Sequence, residues 1–220
     1  MAEPQTMAKR PRSLGARAVT ALLTNPVTMA LKRPLRDLAW SLRGAALNNP
    51  PLPDRVESVL FVCLGNICRS PFAAVLAARR LDDANLAGVR CASAGIRTTQ
   101  GARPPENACD VAAAYGLSLS AHRPQTLTRD LVERHDLIVV MEAAQLEALR
   151  ASYPDAARRL VLLSLLDGRA AKGYERYNIA DPFSRPRADF EACYERIDRA
   201  VTSLVSRIRA QSAPHARNEA

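Results

Sequence analysis

Between residues 56 and 208 the sequence alternates short apolar runs with segments of helical periodicity. Four of these runs predict strands: Val59–Val62, Gly88–Ala92, Asp136–Met141 and Leu160–Leu163. Runs this short and this apolar indicate strands buried on both faces, which is typical of a parallel sheet whose connections are helices. The sequence therefore predicts an α/β fold of three layers, in which a four-stranded parallel sheet carries helices on both faces.

The segments between the runs predict the helices. The first begins at Ser70 and Pro71, because proline fits the first turn of a helix. The last is a long amphipathic helix with Asp189 as its expected N-cap. Two more are predicted over Pro105–Tyr115 and Glu142–Ser152. Sheets of this kind bind ligands beyond the carboxyl ends of their strands, so a site is expected at that edge.

Positive charge is concentrated ahead of the alternating region. The net charge is +9, and residues 1–50 contribute eight lysines and arginines against only two acidic residues. Prolines interrupt this segment, and Asn48–Pro53 has the composition of a linker. Three parts are predicted: a basic, partly disordered extension over residues 1–54, one domain over 55–211, and a disordered tail over 212–220.

The basic extension allows three interpretations. A short helix is predicted from Pro34, with Leu35, Leu38 and Leu42 on one face. Because basic residues flank that face, residues 1–50 are a candidate contact for an anionic membrane surface or a protein partner. The same composition also fits a partly ordered tail or an arginine-rich transit peptide. No nucleic-acid partner is expected, because most of the charge lies outside the predicted domain.

Five cysteines, an odd number, occur without a recognisable secretory signal. The apolar stretch Val19–Leu31 contains Asn25 and Pro26 and is too short to span a bilayer. We therefore expect free or catalytic thiols in a cytoplasmic protein, either dissolved or held at a membrane surface by the extension. Neither the cysteines nor the three histidines show metal-ligand spacing, so neither a metal nor another cofactor is expected.

A cysteine precedes an arginine by six residues at three places: Cys63 and Arg69, Cys91 and Arg97, and Cys193 and Arg199. This spacing alone does not discriminate between them, because the chain is rich in arginine. Cys193 falls inside the last predicted helix, and Cys91 is not followed by a helix start. Cys63 alone stands between a buried strand and a helix N-terminus, so it is the candidate nucleophile.

A loop in that position is suited to binding an anion. Gly65 and Asn66 tolerate the left-handed backbone that turns successive N–H groups inward, and the helix start adds further N–H groups. A cysteine in such a field is expected to react as a thiolate. Arg69 adds a planar pair of donors that matches two phosphate oxygens. The loop therefore predicts nucleophilic chemistry on a phosphate group.

The nine residues Cys63–Pro71 closely resemble the phosphate-binding loop of the low-molecular-weight protein tyrosine phosphatases. Further segments resemble the same family in order and spacing, over about residues 56–210: Ser93–Gly95, Gly116–Arg123, Leu137–Met141 and Asp181–Phe183. The resemblance implies the family's flavodoxin-like, Rossmann-like three-layer fold. It also implies hydrolysis of a phosphate monoester, most directly a protein phosphotyrosine or another aryl phosphate, through a cysteinyl-phosphate intermediate.

The resemblance also implies roles for individual residues. Cys63 is the nucleophile, Arg69 holds the phosphate oxygens, and Asp181 is the general acid and then the general base. The phosphate- and substrate-binding residues are expected to be Leu64, Gly65, Asn66, Ile67, Cys68, Ser70 and Phe183. Ser93 and His122, with Asn66, are expected to hold the loop in shape. Ser70 is expected to stabilise the leaving thiolate, and Cys68 to form a protective disulfide with Cys63.

Departures from the family pattern keep other functions open. The loop Ile96–Gly101 has no aromatic ring for a pocket wall, and Ser184 follows Phe183, so strict phosphotyrosine selectivity is not implied. An arginine phosphatase is an alternative, although Ile67 favours a flat ring over a guanidinium. An arsenate reductase is another, although residues 137–153 lack the cysteines it needs. A phosphate-binding module without catalysis is the third alternative.

Overall fold

The computed structural model describes residues 37–40, 47–169 and 171–212. Its sheet has four strands, β1 (Ser58–Cys63), β2 (Arg90–Gly95), β3 (Leu137–Val140) and β4 (Leu160–Leu162). They are parallel and lie in the order β2-β1-β3-β4. All of the residues of β1, β3 and β4 are buried, as expected for strands covered on both faces. The predicted four-stranded parallel sheet is confirmed.

Within the described residues from 47 onward, six α-helices connect or flank the strands: α1 (Arg69–Asp83), α2 (Glu106–Ala114), α3 (Arg129–Glu133), α4 (Ala143–Ser152), α5 (Gly173–Tyr177) and α6 (Arg187–Ser212). Two 3₁₀ helices, Pro154–Arg159 and Leu163–Leu166, flank β4. The four helices predicted for the domain are present. The predicted N-cap of the last one is wrong, because α6 begins at Arg187 and Asp189 lies within its first turn. The five-residue helices α3 and α5 are too short to show helical periodicity, and the sequence did not predict them.

The strands divide the core into two layers, because successive side chains point to opposite faces. Phe61 and Val139 face a cluster formed with α1, α2 and α6. Leu60 and Ile138 face the other cluster, in which residues of α3 and α4 and Tyr177 are buried. The fold is therefore the predicted three-layer α/β arrangement, with the sheet in the middle.

Chain segments outside the four strands contact both edges of the sheet. At the β4 edge, the Asn49 side chain accepts the N–H of Leu162 at 2.8 Å and donates to its carbonyl at 3.0 Å. Leu47 is buried in the core beside β4. At the β2 edge, Gly95 donates to Gln125 O at 2.9 Å and accepts from Leu127 N at 2.8 Å. Residues 47–49 therefore pack on the domain, although they precede the predicted boundary at residue 55.

The remaining predictions for the two ends of the chain fall largely outside the described residues. Of the extension, the structure describes residues 37–40, which are helical, and residues from 47 onward. The other residues before 47, and residues 213–220, are not described, so their predicted disorder stays a prediction. Over the described ranges, no helix is long and apolar enough to cross a membrane.

The strand order places Cys63 at the point where ligands bind in open parallel sheets. Cys63 is the last residue of β1, and the chain leaves β1 for β2 on one side and later returns to form β3 on the other. The loops that follow β1 and β3 therefore diverge and leave a crevice at the carboxyl edge of the sheet. The predicted nucleophile lies at this crevice.

Candidate active site

The loop from Cys63 to Arg69 joins β1 directly to α1. Asn66 adopts the left-handed conformation, with φ of 54°, which asparagine tolerates better than most residues. Gly65 was expected to share that conformation, but it is not among the positive-φ residues of the described chain. A Cβ at Gly65 would meet only the Ile67 side chain, at 3.6 Å. The left-handed turn of the loop therefore rests on Asn66, and the expectation for Gly65 is corrected.

The Cys63 thiol has two polar partners from its own loop. Its Sγ lies 3.0 Å from Ser70 Oγ and accepts the N–H of Asn66 at 3.3 Å. Ser70 Oγ also accepts from Asn66 Nδ2 at 2.9 Å and can donate to Ala94 O at 3.3 Å. The single proton of Ser70 can go to Ala94 O or to Sγ, and a negative charge on sulfur favours Sγ, where the donor stabilises that charge.

Asn66 is the central hydrogen-bonding residue behind the loop. Its Nδ2 donates to Ser93 Oγ at 2.9 Å as well as to Ser70, and its Oδ1 accepts the N–H of Gln125 at 2.9 Å. Its carbonyl accepts from His122 Nε2 at 2.8 Å. Because a carbonyl can only accept, Nε2 of His122 carries a proton. The loop conformation is thus fixed by the side chains of Ser70, Ser93 and His122 and by the backbone of Gln125.

Helix α6 supports the same loop from the core side. The hydroxyl of Tyr194 donates to Cys68 O at 3.1 Å. The ring of Tyr194 stacks on Phe72 of α1, with centroids 3.7 Å apart and planes 8° apart. These contacts fix the start of α1, and therefore Arg69, relative to the long helix.

Arg69 is only 1% exposed and is surrounded by acceptors. Its Nη1 donates to the Glu142 carboxylate and, at 3.0 Å, to Ile179 O, and its Nη2 pairs with Asp181 Oδ2 at 2.6 Å. Burial alone would lower the pKa of Arg69, but the charges of Cys63, Asp181 and Glu142 raise it. The guanidinium therefore stays charged.

Within the described residues, one nitrogen of Arg69 has no acceptor. Its Nε is buried and has no hydrogen-bond acceptor among the described residues. A buried donor without a partner is costly, and an anion in the cleft would relieve that cost. Because Glu142 and Ile179 hold Nη1, Nε and Nη2 are the donors that remain for two oxygens of such an anion.

Asp181 stands in the loop between α5 and α6. Its Oδ1 accepts the N–H of Phe183 at 3.2 Å, which turns the chain back on itself, while Oδ2 pairs with Arg69. The Phe183 ring, 53% exposed, projects at the mouth of the same cleft. The Asp-Pro-Phe segment thus faces the phosphate loop, as the sequence predicts.

These groups line one cleft of about 380 Å³. Eight of the predicted site residues line it: Cys63, Leu64, Gly65, Ile67, Cys68, Arg69, Asp181 and Phe183. The other four, Asn66, Ser70, Ser93 and His122, lie behind the loop and make the contacts described above.

The sequence did not predict the whole lining of the cleft. Its wall includes Arg97, Thr98 and Thr99, and the only prediction for this segment was that it lacks an aromatic ring. Glu142 was predicted only as the first residue of a helix, yet it contacts Arg69. The backbone of Arg97 is held against the phosphate loop, because its N–H donates to Leu64 O at 2.8 Å. The signal that could have located both residues is their place just after the carboxyl ends of β2 and β3.

The other two cysteines that precede an arginine by six residues lack such surroundings. Burial, and then the charge of Asp82, raise the pKa of Cys91 to about 12. Burial likewise raises the pKa of Cys193, inside α6, to about 12. Burial also raises the pKa of Cys68. These three groups therefore stay protonated thiols near neutral pH, which makes them poor nucleophiles.

Residues 58–213 match the model of the family described as low molecular weight phosphotyrosine protein phosphatase. A probable low molecular weight protein-tyrosine-phosphatase, EpsP of Ralstonia nicotianae, is 37% identical over 155 residues, which cover 70% of this chain and 98% of that protein.

Solved structures show the same similarity. Wzb of Vibrio vulnificus, in complex with benzylphosphonate, matches with a TM-score of 0.60 and 29% identity, over 69% of this chain and 98% of that one. The YwlE arginine phosphatase of Geobacillus stearothermophilus matches with a TM-score of 0.62 and 25% identity, over 74% and 99%. The chain belongs to the family of low molecular weight phosphotyrosine protein phosphatases.

Proposed function

We propose that this phosphatase hydrolyses aryl phosphate monoesters, with protein phosphotyrosine as the substrate class, through a cysteinyl-phosphate on Cys63. The observation that carries the proposal is the convergence of three groups on one cleft: the Cys63 thiol, the Arg69 guanidinium and the Asp181 carboxyl. A nucleophile, an anion clamp and an acid–base group are the parts that this reaction requires.

In the first step the Cys63 thiolate attacks phosphorus and the bond from phosphorus to the phenolic oxygen breaks. The N–H groups of the loop and the free donors of Arg69 hold the remaining phosphate oxygens. Asp181, in its protonated form, gives its proton to the departing phenolate. The products are a neutral phenol and a phosphoryl group bonded to sulfur.

In the second step water attacks the phosphorus of the cysteinyl-phosphate. Asp181, now a carboxylate, takes a proton from this water, and the bond from sulfur to phosphorus breaks. The electron pair returns to Cys63 as a thiolate, which the Ser70 hydroxyl 3.0 Å away can stabilise. Inorganic phosphate leaves, and Asp181 is protonated for the next cycle.

The walls of the cleft support an aromatic substrate. Phe183 and Leu64, 53% and 37% exposed, and the side chain of Ile67 offer apolar surface around the mouth. An aryl ring can pack on Phe183 by offset stacking. A guanidinium leaving group, as in an arginine phosphatase, would gain less from contact with the side chains of Leu64 and Ile67. The benzylphosphonate bound to the Vibrio vulnificus protein combines an aromatic ring with a phosphorus group, as an aryl phosphate does. This likeness further supports an aryl phosphate as the substrate.

Compartment and partners belong to the same proposal. The five cysteines are unpaired, which supports a reducing compartment such as the cytoplasm. The basic residues of 1–50 support contact with an anionic membrane surface or a protein partner.

The test is hydrolysis of p-nitrophenyl phosphate by the full chain and by two variants. We expect Cys63→Ser to abolish turnover yet still bind inorganic phosphate, because the N–H groups and Arg69 remain. Cys91→Ser is the matched control and should keep its activity. Comparable loss in both variants, or activity in Cys63→Ser, would contradict the choice of nucleophile. A faster reaction with phosphoarginine than with phosphotyrosine peptides would favour the arginine phosphatase alternative.

A further inference from the structure

Residues 37–40 of the N-terminal extension pack on α5, the helix that precedes the Asp181 loop. Trp40 stacks on Tyr177, with centroids 6.1 Å apart and planes 25° apart, and meets Tyr174 edge-on at 5.9 Å. Asp37 Oδ1 accepts the N–H of Tyr174 at 3.1 Å. The contact combines stacked rings with a hydrogen bond to the backbone.

Gly173 makes room for this contact. Its φ is +56°, and a Cβ built there would lie 2.5 Å from the Cβ of Asp37. Real Cβ atoms do not approach other atoms so closely, so a side chain at Gly173 would displace the extension. The first residue of α5 is thus shaped to receive Asp37.

The chain runs from α5 straight into the groups that hold Arg69. Asn178 Nδ2 donates to Tyr174 O at 2.9 Å, and its Oδ1 accepts the N–H of Ala143 at 3.2 Å. Asn178 also forms a β-bridge with Glu142, whose carboxylate accepts from Arg69.

The next residue, Ile179, is fixed at both of its backbone groups. Its N–H donates to Met141 O at 2.9 Å, and its carbonyl accepts from Arg69 at 3.0 Å. Asp181 follows two residues later. Any displacement of α5 therefore shifts both an acceptor of Arg69 and the backbone that carries Asp181.

We propose that Trp40 is a positioning residue of the active site, which acts by holding α5 and, through residues 178–181, the Arg69 acceptors and Asp181. This inference rests on the proposed function of the cleft. If an anion binds most tightly to the well-ordered site, anion binding must also stabilise the docked position of the extension. Because binding equilibria are linked, docking of the extension must raise the affinity for the anion by the same factor.

The position of Trp40 allows a direct measurement, because it is the only tryptophan in the chain. We expect its fluorescence emission to change as inorganic phosphate is titrated into the full-length protein. The midpoint should match that for phosphate inhibition of p-nitrophenyl phosphate hydrolysis. Emission that stays constant while phosphate fully inhibits the enzyme would overturn the coupling.

Variants test the effect on chemistry. We expect Trp40→Ala to lower kcat for phenyl phosphate by about 5-fold or more, a typical size for coupling between sites. The loss should be smaller for p-nitrophenyl phosphate, whose leaving group needs less help from Asp181, and Trp40→Phe should restore most of it. Leu38→Ala is the matched control, because Leu38 lies in the same helical segment and is 57% exposed.

The outcomes separate the two proposals. If the cleft is not a phosphatase site, neither wild type nor Leu38→Ala hydrolyses either ester. If hydrolysis is normal but Trp40→Ala has the same leaving-group dependence as Leu38→Ala, Trp40 has no positioning role. A Trp40→Ala variant that melts near the wild-type temperature and still shows the selective loss supports the inference, whereas equal loss on both esters with a collapsed melting temperature contradicts it.

Discussion

Asp181 and Arg69 are ion-paired across the cleft, with Oδ2 of the carboxylate 2.6 Å from Nη2 of the guanidinium. In the proposed mechanism these are the acid and the phosphate clamp. Because Nη2 carries two N–H groups, a phosphate on Nε and Nη2 lies next to the Asp181 carboxylate and repels it. That repulsion would turn the Asp181 carboxyl away from Arg69 and toward the leaving oxygen.

Replacing Asp181 by asparagine should separate acid catalysis from anion binding. We expect Asp181→Asn to lower kcat for phenyl phosphate by about 10²–10⁴-fold, the range for loss of a general acid. Inorganic phosphate should bind at least as tightly as to wild type, because a competing negative charge is gone. The checks are kcat across phenols of different pKa and the inhibition constant of phosphate. An equal loss for all leaving groups would remove Asp181 from the acid role.

Arg97 should favour substrates that are acidic near the phosphotyrosine. It lines the cleft, and its backbone is hydrogen-bonded to the phosphate loop at Leu64. Its side chain is exposed, so attraction to a peptide carboxylate is worth about 0.2–1 kcal/mol. Arg97→Ala should raise KM for a phosphopeptide with flanking glutamates by up to about 5-fold at low salt and leave p-nitrophenyl phosphate unchanged. A similar change in KM with a neutral phosphopeptide would contradict this role.

His122 should make stability depend on pH in the mildly acidic range. Burial lowers its pKa below the usual 6.5, against the opposing hydrogen bond to Asn66. Below about pH 6.5 the unfolded chain therefore binds a proton more readily than the folded one, so stability falls as the pH falls toward the folded pKa. His122→Gln keeps an N–H donor but does not titrate. Between pH 7.5 and pH 5.5, the free energy of unfolding measured with urea should fall more in the wild type than in the variant. An equal fall in both would show that His122 does not cause the pH dependence.

Removing the extension should lower the free energy of unfolding, because residues 47–49 pack on the domain. A chain that begins at residue 55 loses the burial of Leu47, worth about 1.5–3 kcal/mol, and two hydrogen bonds of Asn49, worth about 0.5–1.5 kcal/mol each. We expect it to fold, to hydrolyse p-nitrophenyl phosphate within a few-fold of wild type, and to unfold at lower urea. The control is a chain that begins at residue 47, which should keep this part of the stability. Identical urea midpoints for the two shortened chains would show that these contacts contribute nothing.

The strands and the phosphate loop could be predicted because their signals are local. Buried strands such as Leu137–Val140 require apolar runs, and the cysteine loop needs its residues in a fixed order around one anion. The packing of Leu47 and the Asn49 contacts could not be predicted, since a proline-rich stretch indicates a loop without revealing what it touches. Glu142 and Arg97 were missed as site residues for a similar reason: only the sheet order brings the ends of β2 and β3 beside Cys63.

The side-chain clamp of Asn49 on Leu162 also bears on how the protein behaves at high concentration. An exposed strand edge can pair with another copy of the same chain and lead to aggregation. Here β4 has only three residues, and both backbone groups of its last one are already bonded to Asn49. At the opposite edge, residues 125–127 occupy the end of β2. A chain shortened to residue 55 would uncover the β4 edge, and its main weakness would be self-association through that edge.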